Sequence, residues 1–197
     1  MMLIEQTPVP GTALPVQGLK DHLRLGTGFT DDGMQDGLIE AYLRAALAAV
    51  EGRIGKVLIA RRFLWQLQDW RDASEQALPV APVTGIVSLT LVDVAGAATL
   101  VSADRYRLVP DLHRPKLAAV GVLLPAAPVE GRIEVVFDAG FGAAWAQVPA
   151  DLAQAVLLLA AEYHERRHDG GAAGVPLAVQ SLIERWRTVR ILGGGGA

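Results

Sequence analysis

The spacing of apolar residues predicts helices near both ends of the chain. Val16, Leu19 and Leu23 are separated by three and four residues, which places them on one face of a short helix. The same period returns after Pro149 and again after Pro176, and proline suits a helix start because the first turn does not need its missing N–H group. The pattern predicts four helices, at about 15–25, 31–53, 149–168 and 176–192.

Between the helical stretches the apolar period shortens to two residues. Phe63, Trp65 and Leu67 alternate with polar residues, and the same alternation runs through residues 132–138. Prolines and glycines separate these segments from other short apolar runs. The pattern predicts an antiparallel β block at about 61–138, inserted between the two helical parts.

The predicted fold class is therefore α+β, mainly α: a small helical bundle with an inserted antiparallel β block and a C-terminal amphipathic helix. Neither an internal repeat nor a second boundary is evident, so residues 1–192 are expected to form a single domain. Residues 193–197, four glycines and an alanine, are expected to form a flexible tail.

The last predicted helix carries an apolar face edged by arginines. Val179, Ile183 and Trp186 share that face. Tryptophan and arginine are enriched at protein interfaces, so this helix is a candidate for binding a partner or another copy. An alternative stays open, in which the helix packs on the core of its own subunit. The candidate interface residues are Arg185, Trp186, Arg187, Val189, Arg190 and Leu192.

Composition excludes several functional classes. The 197 residues include no cysteine, which removes disulfides, thiolate metal ligands and thiol nucleophiles together. The formal charge of −3 shows no basic excess, and tight binding to duplex DNA normally requires one. Since neither a signal peptide nor an apolar run long enough to cross a bilayer is visible, we expect a soluble protein made in the cytoplasm.

One short motif, at the end of the third predicted helix, has the residue spacing of a zinc site. His164-Glu165-Arg166-Arg167-His168 matches H-E-x-x-H, in which two histidines bind zinc and the glutamate activates a water molecule. The two inner arginines add positive charge where a dication would bind, and Asp169 and Glu184 are the nearest downstream carboxylates for a third ligand. Basic residues are also favoured at a helix end by its dipole. We interpret the motif as an ordinary helix end and keep a zinc hydrolase as the least favoured alternative.

No other group of residues indicates catalysis. His22 and His113 have no evident partner in the sequence, and the serines lack a G-x-S-x-G context. Gly193–Gly196 precedes no helix, so it does not match a phosphate-binding loop. We therefore predict no catalytic, cofactor-binding or metal-binding residues, no cofactor and no enzymatic activity.

Several short segments occur in a particular order along nearly the whole chain. They are Thr7-Pro8, Pro15 to Arg24, Asp31-Asp32 to Ile39, Ala45-Ala46, Val50-Glu51, Gly55-Lys56 with Trp65, Phe137 to Gly142, and Val148-Pro149 to Arg166. Each segment is unspecific alone, but their order and spacing resemble the head–tail connector (adaptor) family of tailed phages and gene transfer agents. Residues 103–129 match nothing in the family, and Gly33 and Gly37 stand where better helix formers are expected.

The resemblance implies a structural protein of a phage or gene transfer agent neck, assembled in the bacterial cytoplasm. Copies would form a ring, expected to be dodecameric, that docks on the portal protein and presents its other face to the next neck or tail protein. DNA would pass through the lumen without sequence-specific binding, and no membrane would be involved. Two other neck roles, a stopper and a tail terminator, remain alternatives within the same structural class.

Overall fold

The helices lie at the two ends of the chain in the computed structural model, which describes residues 1–24, 35–167 and 174–187. The bounds are α1 Val16–His22, α2 Asp36–Ile54, α3 Ala150–Glu165 and α4 Leu177–Ile183, the last extended by a 3₁₀ turn at Glu184–Trp186. Helices α1, α3 and α4 begin directly after a proline, as the sequence predicts. Helix α2 ends at Ile54 and is followed by Gly55, whose φ of 66° lies in the left-handed region that favours glycine.

The strands of the described chain form two antiparallel sheets. In chain order the strands are β1 Met2–Glu5, β2 Arg61–Leu67, β3 Glu75–Ala77, β4 Val83–Val92, β5 Ala98–Leu100, β6 Tyr106–Val109, β7 Lys116–Ala119 and β8 Arg132–Ala139. The larger sheet has the order β1-β2-β8-β4-β5, and the smaller has the order β3-β7-β6.

Strand β8 is the central strand of the larger sheet and β2 is its neighbour, and both show the alternation that the sequence predicts. Phe63 pairs with Phe137, and their rings stack with centroids 5.7 Å apart. Trp65 pairs with Val135 in the same register, and both side chains are buried. The apolar face of each strand is thus held in place, because a shift of one residue would expose it.

Two separate hydrophobic cores result from this arrangement. The helical core gathers residues from α1, α2, α3 and α4, with Leu19, Ile39, Leu43, Leu152 and Val156 fully buried. The sheet core gathers residues of both sheets, with Trp65, Leu89, Leu117, Ile133 and Phe137 at its centre. The fold class is α+β, as expected, but the description as a mainly helical bundle is not confirmed, since the strands build a core of their own.

The two cores meet where α2 leads into β2 and where β8 leads into α3. Ala60 donates its N–H to the carbonyl of Gly142 at 2.7 Å, and Phe141 donates to the carbonyl of Leu58 at 3.2 Å. Gly140, with φ of 136°, lies so close to Ala60 that a Cβ would be 2.4 Å from the Ala60 Cα atom. This glycine therefore allows the two connections to lie against each other.

Two strands of the structure were not predicted from the sequence. Strand β1 pairs with β2 over Met2–Glu5, so the larger sheet also uses the start of the chain and is not built from residues 61–138 alone. Strand β3 pairs with β7 over three residues. Both are short strands at a sheet edge, where the pairing partner supplies the stability that three or four residues cannot supply themselves.

The helices are shorter than the apolar period suggests. The first ends at His22 and the third at Glu165, while residues 31–34, at the predicted start of the second, lie outside the described residues. The predicted helix at 176–192 ends at Trp186, because Arg187 is extended with ψ of 133°. Residues 188–197, including the expected flexible tail, also lie outside the described residues.

Candidate partner interface at the C-terminal segment

The C-terminal segment, residues 174–187, packs on the helical core of its own subunit. Val179 and Ile183 are buried among the residues of this core. Trp186 is 8% exposed, and its ring meets the ring of Phe141 edge-on with centroids 5.5 Å apart. The structure therefore has the arrangement that the sequence left open as the alternative to an exposed partner-binding helix.

One carboxylate holds the end of this segment. Asp151, in the first turn of α3, accepts a hydrogen bond from Trp186 Nε1 at its Oδ2 atom, at 2.7 Å. The Nε atom of Arg185 lies 2.7 Å from the same oxygen, and the Arg185 guanidinium is 4.9 Å from the centroid of the Trp186 ring. Burial alone would raise the pKa of Asp151, but the hydrogen bonds from Trp186 and Arg185 outweigh it and hold the pKa below its ordinary value.

The predicted interface residues are thus in different environments. Trp186 is buried, whereas the side chains of Arg185 and Arg187 are exposed, and Arg187 lies 3.4 Å from Glu184. Val189, Arg190 and Leu192 lie outside the described residues. Partner binding by this group stays a prediction.

The first histidine of the H-E-x-x-H motif packs against helix α2. The His164 ring meets the Tyr42 ring edge-on at 5.8 Å, and burial together with the nearby Arg167 lowers the pKa of His164. Arg167 Nη1 donates to the His164 carbonyl at 2.7 Å, which caps the helix end in the way the basic residues suggest. Within residues 1–24, 35–167 and 174–187, no three His, Asp or Glu side chains are grouped to hold a metal ion. His168 lies outside those residues.

His113 has a partner that the sequence did not indicate. Its Nδ1 atom lies 3.2 Å from Nζ of Lys56, an almost completely buried lysine that follows α2 and its capping Gly55. Burial lowers the pKa of Lys56, and the charge of Asp111 opposes this effect. Because 57 positions separate the two residues, only the tertiary fold brings them together.

An exposed apolar loop joins β7 to β8. We call residues 120–129 the β7–β8 loop; Val122 is 85% exposed in it and Val129 is 89% exposed. Residues 117–129 contain no charged or polar side chain, which is the sequence signal that could have marked this surface. Exposed apolar residues in such a cluster are typical of surfaces that another molecule covers.

Solved structures of gene transfer agent (GTA) particles contain chains similar to this one. A chain in the neck of an empty GTA particle, computed with C6 symmetry, shares 58% identity and a TM-score of 0.91, covering 98% of this chain and 99% of the other. A chain in the virion of a native GTA particle shares 58% identity with a TM-score of 0.88 at the same coverage of both chains. A third, in the neck of a native GTA particle computed with C12 symmetry, shares 54% identity with a TM-score of 0.86, again covering 98% of this chain and 99% of the other.

Identity of this degree along nearly the whole length decides the family. The chain belongs to the phage head–tail connector family. No family profile and no curated protein matches it, so the assignment comes from the solved neck structures.

A head–tail connector of this family is a structural component of a particle neck. In the connector described here, the C-terminal segment is held by Asp151, and the β7–β8 loop presents uncovered valines. No helix in the described part of the connector is both long and apolar enough to cross a membrane.

Proposed function

We propose that this connector is the head-to-tail adaptor subunit of a phage or gene transfer agent neck. Copies form a ring beneath the portal, join the capsid to the tail and surround the channel through which DNA leaves. The observation that carries the proposal is 58% identity over 98% of the chain to a protein of a GTA particle neck.

The number of copies proposed is twelve. A relative at 54% identity belongs to a neck computed with C12 symmetry, which supports this number. A ring requires that each subunit contact its two neighbours through two different surfaces, because such heterologous contacts close when the rotation between subunits divides a full circle. The apolar β7–β8 loop supplies surface of the kind that such contacts bury.

The chain has no net positive charge, which favours a channel through which DNA passes over a site that binds DNA tightly. Each phosphate neutralised by lysine or arginine releases counterions and adds affinity, so a strongly basic lumen would retain the DNA. The net charge of −3 avoids this effect. The proposed role needs no catalytic group and no cofactor.

The test is co-expression with the cognate portal protein, followed by purification and electron microscopy of the complex. The expected result is a ring of twelve subunits on the tail-facing end of the portal. If the chain does not bind the portal but binds another neck or tail protein, the adaptor role is wrong and a stopper or a tail terminator is favoured.

A further inference from the structure

The larger sheet carries three apolar side chains in a row on the face that is turned away from the sheet core. Ile4 pairs with Leu64 of β2, and Leu64 pairs with Val136 of β8, so the three lie side by side. Their strand neighbours Trp65 and Val135 point into the sheet core, and successive side chains of a strand point to opposite faces. Among the described residues, neither core includes Ile4, Leu64 or Val136, and all three are partly or largely exposed. We call these three residues the outer row.

The charged side chains beside the outer row are paired with one another. On one side of the row, Arg62 donates to both carboxylate oxygens of Asp138, at 2.8 and 2.9 Å. On the other side, Oε1 of Glu134 accepts from Arg132 at 2.6 Å and from Gln66 at 3.0 Å. The charges of the two ion pairs cancel. An apolar, uncharged surface therefore gains most by covering this face, because it removes the outer row from water.

The β7–β8 loop is an uncharged surface of this kind, and it lies on the other side of the sheet core. Leu117 of β7 is fully buried in that core, so the smaller sheet covers the inner face of the larger sheet. Leu124, 4% exposed, ties the loop to the same core. Val120, Val122 and Leu123 remain 48%, 85% and 54% exposed. Each side of the two-sheet unit thus presents an apolar surface.

Two different apolar surfaces on opposite sides of one subunit suit a head-to-tail contact between copies. In such a heterologous contact a surface of one copy meets the other surface of the next, and the repeat closes into a ring. A two-fold dimer would bring one surface against itself and leave the second surface exposed on both copies. Only the head-to-tail arrangement covers both surfaces on every subunit.

We infer that the outer row of one copy is covered by the β7–β8 loop of the next copy around the ring. The inference rests on the proposed function, since it takes the ring as given and names the two surfaces that join its subunits. Val122 and Leu123 of the loop supply the apolar area that meets the row. The pairs Arg62–Asp138 and Arg132–Glu134 form a polar rim, and such rims are typical of protein interfaces.

The absence of cysteine allows this contact to be tested by cross-linking pairs of introduced thiols in the full chain. Val136→Cys places a thiol in the outer row, and Val122→Cys places one on the loop. The double variant, treated with a short flexible bismaleimide, should give a ladder of covalent species from the dimer to the full ring, because each copy is linked to two neighbours. Either single variant should remain monomeric on a denaturing gel, since neither surface meets its own counterpart.

Ala48→Cys combined with Val122→Cys is the matched control, because Ala48 is exposed on α2 and lies outside the outer row. This pair should give no ladder. An equal ladder from the control, or cross-linked dimers from a single variant, would overturn the inference.

The apolar contribution of the outer row is tested by the double variant Leu64→Thr with Val136→Thr. Threonine keeps the branched shape that strands favour, so the thermal unfolding midpoint should change little. Ring formation should fall at least about tenfold, because apolar area is lost from every contact. Leu38→Gln, which changes a leucine that is 49% exposed on α2, should form rings as the wild type does. Rings formed equally by the threonine variant and the wild type would show that assembly leaves the outer row uncovered.

Portal binding separates this inference from the proposed function. Cross-linking is carried out on the chain alone and on the chain with the purified portal. If the wild type does not bind the portal, the adaptor role is rejected, and the ladder obtained from the chain alone still decides the inference. If the wild type forms a ring on the portal but the thiols at positions 136 and 122 give no ladder there, the adaptor role stands and the inference is wrong.

Discussion

The carboxylate of Glu51 on helix α2 lies against the guanidinium of Arg61 at the start of strand β2, with Arg61 Nη2 2.7 Å from Oε2 and Nη1 3.0 Å from Oε1. Both side chains are about nine-tenths buried. Oε1 also accepts the Leu58 N–H at 2.7 Å, and Arg61 Nε lies 2.9 Å from Glu5 on β1. This pair therefore links the helical core to the first two strands of the larger sheet.

Glu51→Ala should lower the free energy of unfolding by about 3 kcal/mol, since it leaves the buried Arg61 without its bidentate partner. Burial disfavours the charged form of Arg61, yet its two carboxylate partners raise its pKa, so the residue stays charged. Glu40→Ala is the control on the same helix, because the Glu40–Arg44 pair is more exposed and should cost less than about 1 kcal/mol. Urea unfolding measures the loss of stability in both variants. An equal decrease in the free energy of unfolding for Glu51→Ala and Glu40→Ala would contradict the linking role of Glu51.

Gly140→Ala should destabilise the protein by more than about 2 kcal/mol. The added Cβ would lie 2.4 Å from the Ala60 Cα atom and 2.5 Å from its nitrogen, and the φ of 136° is one that side chains rarely adopt. Gly52→Ala, on the exposed side of α2 with no atom within 4 Å of the added Cβ, should instead stabilise by about 0.5–1 kcal/mol. Thermal unfolding of the two variants should shift in opposite directions.

The free energy of unfolding should decrease as the pH is lowered, because His164 becomes protonated. Burial lowers its pKa, Arg167 lowers it further and Glu165 opposes them, so the folded protein binds the proton less readily than the unfolded chain. The contribution is complete above the unfolded pKa of about 6.5 and is lost as the pH falls through the lower folded value. His164→Gln should unfold with a smaller change in stability between about pH 7.5 and pH 5 than the wild type.

Arg167→Gln tests the cause of that pH dependence. Removing this cation takes away one of the two effects that lower the pKa of His164, so the pH dependence should become weaker but not disappear. The pH dependence is compared by measuring urea unfolding midpoints at several pH values for the wild type, His164→Gln and Arg167→Gln. A wild-type profile identical to that of His164→Gln would contradict the assignment to His164.

The β7–β8 loop should matter for assembly and not for folding. Replacing Val122 and Val129 with serine should change the free energy of unfolding by less than about 0.5 kcal/mol, because both side chains are exposed. The same double variant should form fewer rings with the portal, measured by electron microscopy. Val135→Ser is the contrasting change: Val135 is fully buried in β8, so this variant should lose about 2 kcal/mol or more. Normal ring formation by the loop variant would show that assembly leaves this loop uncovered.

Several elements of the fold could be predicted from local sequence because each depends on neighbours along the chain. The helix starts after Pro15, Pro149 and Pro176 follow from residues next to them, and the strand at Arg61–Leu67 follows from its alternation. Strand β1 could not be predicted in this way, since four residues carry too little pattern and its stability comes from pairing with β2, more than fifty positions away.

The candidate interface also has one feature that the sequence predicts and one that depends on residues distant along the chain. The apolar, arginine-edged face of the last helix is readable from the sequence, but whether that face meets its own core or another protein is not. In the structure Trp186 donates to Asp151 of its own subunit, 35 positions away, and the neighbours of neither residue along the chain indicate this contact.

By itself, the sequence determined the periodic elements, the α+β class, the absence of cysteine chemistry and the resemblance to head–tail connectors, because these depend on composition and on short-range order. Only the tertiary structure decided how the strands divide into two sheets, which carboxylate holds the C-terminal segment and which apolar loop stays uncovered. The physical reason is that such contacts join residues distant along the chain, and their energy depends on burial and geometry that exist only after both cores have formed.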